Sequence, residues 1–235
     1  MNNSAAPRIA VLTGAGISAE SGIRTFRDSN GLWEEYAIED VATPEAWQRN
    51  PELVTRFYNL RRMQLAEVKP NAAHEALAKL EQYVPTVVIT QNVDDLHERA
   101  GSKNLIHLHG ELVKLRPVKG SRKSVHVGYE AIEYGMTNES GDLLRPDIVW
   151  FGEAVPLIEP ASAYFSQAEI VLVVGTSLQV YPAAGLLHAA PYGSQKYYVD
   201  PSDYSGLPIS NLKHLKEPAS VALPKLVDEL IASLT

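Results

Sequence analysis

Arg8-Ile9-Ala10-Val11-Leu12 leads through Thr13 into Gly14-Ala15-Gly16-Ile17-Ser18-Ala19. The unbroken apolar run is the pattern of a strand buried on both faces of a parallel sheet. The G-x-G-x-x-A that follows stands where a dinucleotide fold places its phosphate turn, since glycines allow a tight turn and close backbone approach to phosphate. Alone the motif is weak, because an ordinary tight turn also explains it. Its continuation, Glu20 to Asp28, is less ordinary: Phe26, Arg24 and Arg27 form a loop suited to covering a bound nucleotide.

Working outward, further apolar runs recur at Thr86–Thr90, Leu105–Leu108, Ile148–Phe151, Ile170–Val174 and Tyr197–Val199. Helical patterns lie between them. Asn71 reads as an N-cap with Leu77 and Leu80 turned inward, and Leu223, Leu226, Val227, Leu230, Ile231 and Leu234 make an amphipathic C-terminal helix. Alternating strands and helices predict an α/β fold, a doubly wound Rossmann-like parallel sheet. Two stretches break the rhythm. Residues 30–70 read as entirely helical, with Thr43-Pro44 and Asn50-Pro51 as capped starts; residues 110–147 are polar with weak strand signals. The expected organisation is therefore a nucleotide-binding domain from 1–29, 86–109 and 148–235, with a smaller lobe made of two insertions, a mainly helical 30–85 and a module at 110–147.

Composition bounds the function. The 235 residues carry 21 Lys+Arg against 28 Asp+Glu, a net charge of −7 with no basic block, which argues against nonspecific nucleic-acid binding. The longest aliphatic run, Ile170–Val174, is far short of the roughly 20 residues of a membrane span. Met1 to Arg8 shows no leader pattern, so a cytoplasmic location is expected, without membrane or nucleic-acid partners. Cysteine is absent, which excludes disulfides, thiolate metal sites and a cysteine nucleophile.

Candidate site residues cluster at predicted strand ends, where open α/β sheets bind ligands. Gln91-Asn92-Val93-Asp94 offers amides and a carboxylate for ribose hydroxyls and a carboxamide, although Asn92 or Asp94 also reads as a helix cap. In His107-Leu108-His109-Gly110 the two imidazoles share a face, and only the one at the strand tip reaches the cleft. A neutral imidazole there suits a general base for a sugar hydroxyl; a purely structural histidine is the competing reading. Gly175-Thr176-Ser177 makes a small-residue turn able to accept a second phosphate or ribose, and Asp200 ends the last predicted strand.

Taken in order, GAGISAESGIRTFRDSNGLW (Gly14–Trp33), TQNVDDLHERAG (Thr90–Gly101), HLHGEL (His107–Leu112), LRPDIVWFGE (Leu144–Glu153) and GTSLQVYPAAGL (Gly175–Leu186) resemble the sirtuin family of NAD-dependent protein lysine deacylases. The resemblance spans nearly the whole chain. It implies NAD contacts at Gly14, Ala15, Gly16, Ser18, Phe26, Arg27 and Trp33; a nicotinamide and ribose pocket at Gln91, Asn92, Val93 and Asp94; and an adenosine side at Gly175, Thr176, Ser177, Asp200 and Ala219. Asp200 stands where the family often has asparagine. His109 would be the catalytic base. The implied chemistry is glycosidic: the acyl oxygen attacks ribose C1′ as nicotinamide leaves, giving free lysine and an O-acyl-ADP-ribose. The acyl-lysine peptide would add as a strand between Val149-Trp150-Phe151-Gly152-Glu153 and Val180-Tyr181-Pro182, with Val149, Phe151, Gly152, Glu153, Val180 and Tyr181 as its contacts. An ADP-ribosyltransferase or NAD hydrolase on the same fold is the alternative.

Two features are particular to this chain. Tyr58 and Arg61 are neighbours on one helix face, a phenol beside a planar cationic fork, which makes a carboxylate receptor. Phe57, Leu60 and Leu53 would face the lobe's core. Tyr-x-x-Arg here resembles the subgroup that accepts succinyl- and malonyl-lysine, with deacetylation retained. Relatives usually hold a structural zinc with four cysteines between the HG and WFGE segments; Val113 to Arg145 has none. His126 with Glu130 and Glu133 is a poor substitute, so no metal is expected. Val125, Val127, Tyr129, Ile132 and Tyr134 would then hold the module together.

Overall fold

The computed structural model describes residues 8–23, 32–33, 36–119, 123–204 and 208–234. Its strands are β1 (Ile9–Thr13), β2 (Leu32–Trp33), β3 (Tyr36–Ala37), β4 (Thr86–Thr90), β5 (Leu105–His107), β6 (Gly110–Pro117), β7 (Val125–His126), β8 (Leu144–Ile148), β9 (Ile170–Val174), β10 (Gln195–Val199) and β11 (Leu212–Leu215). Its helices are α1 (Ala15–Ala19), α2 (Ile38–Val41), α3 (Pro44–Arg49), α4 (Pro51–Glu67), α5 (Ala72–Tyr83), α6 (Leu96–Ala100), α7 (Ile158–Ser166), α8 (Leu186–Ala189) and α9 (Ala219–Leu234).

Six strands pair in the order β11-β10-β9-β1-β4-β5, all parallel. The chain leaves β1 toward β4 and β5, then returns to β9 on β1's other side and continues outward. The carboxyl ends of β1 and β9 therefore flank the topological switch point where such sheets bind ligands. Every residue of β1, β4 and β9 is buried, as unbroken apolar runs require of strands covered on both faces. On one face α5 and α9 pack Leu77, Leu80, Leu223, Leu226 and Leu230 against Val11, Val88 and Leu172. On the other, Phe165, Leu186 and Leu187 meet Leu12, Ile89 and Val173.

The two insertions share a third core: Trp47, Val54, Phe57 and Tyr58 pack with Leu112, Val113, Ile148 and Trp150. The predicted caps are formed. Thr43 accepts from Ala46 N–H at 3.0 Å, and Asn50 accepts from Leu53 N–H at 3.0 Å, each followed by proline at the first helical position. Asn71 accepts from Ala73 N–H at 2.9 Å, and the His74 ring reaches back to Asn71 N–H.

Several expectations need correction. Residues 30–70 are not entirely helical, because β2 and β3 pair as a short antiparallel ribbon. Residues 110–147 contain a sheet in the order β7-β6-β8. The run Ile148–Phe151 is no strand of the main sheet: β8 ends at Ile148 and the following residues turn away. β10 is not the last strand, since β11 adds an edge beside it. Leu60 is 45% exposed instead of facing the core. Val125 and Tyr134 are 45% and 44% exposed, and Val127, Tyr129 and Ile132 are only half-buried, so this set does not form the module's core. Leu112, Val113, Leu115, Leu144 and Ile148 are the buried ones. Polar ties add to them. The Asn59 side chain donates to Ile132 O at 2.8 Å and accepts from Ile132 N–H at 3.1 Å, and buried Arg62 donates to Leu112 O at 2.7 Å.

Candidate active site

A cleft of about 590 Å³ opens over the carboxyl ends of β1, β4, β9 and β10 and runs under the smaller lobe. Gly14, Ala15, Gly16, Ser18, Gln91, Asn92, Val93, Asp94, Gly175, Thr176, Ser177, Asp200 and Ala219 all line it, as do His109, Tyr58, Arg61, Val149, Phe151, Gly152, Glu153, Val180 and Tyr181. Phe26 and Arg27 lie outside the described residues; of Trp33 only the backbone is described. Sequence reading missed Gln64 and Pro218, which also line the cleft, and named Trp150 and Glu20 only within their segments. Gln64 and Pro218 lie outside every motif, so nothing in the sequence marked them.

The glycines also hold the switch point together. Gly16 N–H donates to Gly175 O at 2.8 Å and Gly14 N–H to Val174 O at 3.0 Å. A Cβ on Gly16 would stand 2.7 Å from Gly175 Cα, and one on Gly175 would stand 2.3 Å from Ile17 N at φ +60°. Glycine is required because the two loops of the switch point touch backbone to backbone. Gly110 is similar: at φ +82° its Cβ would lie 1.9 Å from Asp147 O, so β6 can meet β8 immediately after His109.

Below the cleft floor runs a buried hydrogen-bond chain. Asn92 donates from Nδ2 to Gly14 O and Ser18 Oγ, both at 3.1 Å, and Ser18 Oγ donates to Asp94 Oδ2 at 3.0 Å. Burial pushes the Asp94 carboxyl up, while hydrogen bonds from Leu96 N–H and Ser18 hold it down in part. Gln91 Nε2 donates to Thr176 Oγ1 at 3.0 Å, tying the β4 end to the β9 end. Burial pulls His74 down to about 4 and His97 well below the ordinary histidine value, so both are neutral supports. Asp200 accepts from Ser202 N–H at 2.8 Å.

The histidine pair is resolved by its partners. His109 Nδ1 lies 3.0 Å from Gln91 O. A carbonyl only accepts, so Nδ1 carries the proton and Nε2 is the basic nitrogen. Burial lowers the His109 pKa, with the Gln91 bond opposing it, which favours the neutral ring at neutral pH. His107 ends β5, with Nδ1 at 3.1 Å from Asn92 O and Nε2 at 2.7 Å from Glu98 Oε1. Both neighbours are acceptors. Burial pulls its pKa down, but the bonds and charges of Glu98 and Glu111 outweigh this and raise it. Glu98, His107 and Glu111 are the one group among the described residues spaced to hold a metal ion; the imidazole proton and the Lys114 ammonium meet the two carboxylates. His126, Glu130 and Glu133 are exposed and make no such group.

At the far end Tyr58 is fully buried and Arg61 is 8% exposed, one turn apart on α4. Burial pushes the Tyr58 phenol up to about 12, against the Arg61 charge and a bond from Trp150, so it stays protonated. In the Val149–Glu153 segment four backbone N–H groups are already bonded within the protein. The N–H groups of Val149, Trp150, Phe151 and Glu153 donate to His109 O, Glu153 Oε2, Ala42 O and Trp150 O.

The family model described as the Sir2 family matches residues 14–182. The chain belongs to the Sir2 family. Among relatives of this sirtuin, a protein named NAD-dependent protein deacylase from Bacteroides thetaiotaomicron is 52% identical over 231 residues, covering 95% of this chain and 97% of that one. A Helicobacter pylori protein of the same name is 49% identical, covering 95% of this chain and 97% of its own. A crystal structure of a Sir2 homolog–NAD complex superposes with a TM-score of 0.87 at 38% identity, covering 98% of this chain and 91% of that one. A structure described as Sir2–p53 peptide–NAD+ gives a TM-score of 0.77 at 32% identity, covering 95% and 93%. No helix among the described residues of this sirtuin is long and apolar enough to cross a membrane.

Proposed function

We propose that this sirtuin removes acyl groups from protein lysines with consumption of NAD, taking succinyl and malonyl groups in preference to acetyl while retaining deacetylation. The observation that carries this reading is one cleft holding a neutral imidazole with its base nitrogen defined, His109, and a buried phenol–guanidinium pair, Tyr58 and Arg61. Its membership of the Sir2 family, and relatives named as deacylases, support the reaction class.

The donor set fits a dinucleotide: amide, hydroxyl and carboxylate groups at four strand ends, with Asp200 placed to accept from a ribose hydroxyl. Bound NAD supplies an anomeric carbon with nicotinamide as leaving group. The protein does the rest. Asn92 and Asp94, fixed through Ser18, hold the ribose end; Gln91 O holds the His109 ring so that Nε2 takes a proton from a ribose hydroxyl. Arg61 offers its fork to the distal carboxylate and Tyr58 its O–H. We also propose that the 110–147 module folds without zinc, held by its buried apolar residues and the Asn59 and Arg62 ties.

The test compares kcat/KM for peptides that differ only in the lysine acyl group, at saturating NAD. Succinyl and malonyl peptides are expected to exceed acetyl; an acetyl peptide turned over better than both would overturn the preference.

A further inference from the structure

Trp150 is 2% exposed and lines the cleft, and its only ring donor is spent inside the acyl pocket: Nε1–H donates to Tyr58 OH at 3.0 Å. We propose that Trp150 sets the acyl specificity of this sirtuin by holding the Tyr58 phenol with its proton turned toward the substrate's carboxylate. The proposal rests on the acidic-acyl reading above.

Indole N–H is a donor only, so the phenol oxygen accepts and its own O–H has to donate elsewhere. A donor fixed on that oxygen removes part of the arc open to the phenol proton and polarises the O–H, making it a better donor to an anion. Tyr58 remains a phenol at any working pH, so that proton is always available.

The indole is itself held tightly. The Arg145 guanidinium carbon sits 3.3 Å from the ring centroid, and the Trp47 ring lies 5.7 Å away. Arg145 donates twice to Glu153, at 2.9 and 2.8 Å, and Glu153 Oε2 also accepts Trp150 N–H at 2.8 Å. Arg116 adds a second guanidinium at 3.2 Å from Glu153 Oε1. Ring, backbone and carboxylate thus form one braced unit with two cations on a single carboxylate behind the ring. A cation against the ring face draws density from the indole and strengthens its N–H. A phenylalanine would leave part of this space empty, and benzothienylalanine would fill it. Relative to that sulfur isostere the indole adds only a donor, and the donor meets the phenol beside Arg61 instead of a backbone carbonyl. An acetyl group has no carboxylate to receive the phenol proton; a succinyl group has.

The test is a double-mutant cycle on the full-length enzyme, with Trp150→Phe, Tyr58→Phe and both together, measuring kcat and KM for succinyl- and acetyl-lysine peptides at saturating NAD. Loss of one hydrogen bond predicts that Trp150→Phe lowers kcat/KM for the succinyl peptide about 3- to 10-fold, mainly through KM, and changes the acetyl value less than about twofold. In the Tyr58→Phe background the same change should have no further selective effect. Equal losses on both substrates, or a selective loss that persists without the phenol, would overturn the proposal. If Trp150→Phe does not fold, benzothienylalanine at position 150 keeps the ring shape without the N–H and has to give the same selective loss. A wild-type enzyme with no acidic-acyl preference would instead defeat the reading beneath it.

Discussion

Replacing Arg61 by methionine tests the carboxylate receptor directly. Methionine keeps a long apolar stem in α4 and removes only the charge and the fork. Arg61 is 8% exposed, so solvent screens its charge little, and its partner in this account is a carboxylate brought in by the substrate. Truncating one partner of a buried, hydrogen-bonded charge pair costs about 2–4 kcal/mol, which is about 30- to 900-fold in kcat/KM for a succinyl peptide. An acetyl group places no charge at that end, so its kcat/KM should move less than about threefold. The assay is initial-rate kinetics with both peptides at saturating NAD, beside a melting curve. An equal fall for both substrates with Tm unchanged, or an unchanged succinyl rate, would refute the receptor.

His109 has to be neutral to act, and its folded pKa lies below the ordinary 6.5, so the acid limb of kcat/KM against pH should have its midpoint below 6.5; a midpoint above that value contradicts the assignment. His74 and His97 bind protons far less readily folded than unfolded, so stability is full above pH 6.5 and declines as pH falls toward their folded pKa values. With His74 at about 4, that residue alone accounts for about 3 kcal/mol between pH 6.5 and 4, and a urea midpoint that stays flat over this range would contradict it. Asn59→Ala removes both ties to Ile132 and should lower Tm by about 4 to 8 °C, while EDTA should leave Tm unchanged; a chelator-sensitive Tm would show that a metal holds the module.

The parallel sheet was legible because its strands are covered on both faces, which leaves unbroken apolar runs such as Ile9–Leu12 and Ile170–Val174. β11 was not: Leu-Lys-His-Leu alternates on an edge and reads like a loop. The strands of the 110–147 module were hidden for a related reason, since β6 and β8 carry Arg116, Arg145 and Asp147 into an ion network where apolar residues would have signalled a core. Cleft residues such as Gln91, Asn92 and His109 could be named because strand ends at a switch point are read from order along the chain. What they bond to could not. That Gln91 O faces His109 Nδ1, or that Gly16 touches Gly175, depends on how two loops distant in sequence meet. Trp150 could be named only within the peptide-binding stretch, because an indole in an apolar run looks like packing until its N–H is traced to Tyr58.

At the centre of the account is one cleft in which loss of nicotinamide and release of the lysine are parts of a single reaction. Purified enzyme incubated with NAD and a succinyl-lysine peptide should release nicotinamide and unmodified peptide in equal amounts at every time point, with neither appearing when the peptide is left out. Nicotinamide formed at the same rate without peptide, or unmodified peptide formed without NAD, would contradict it.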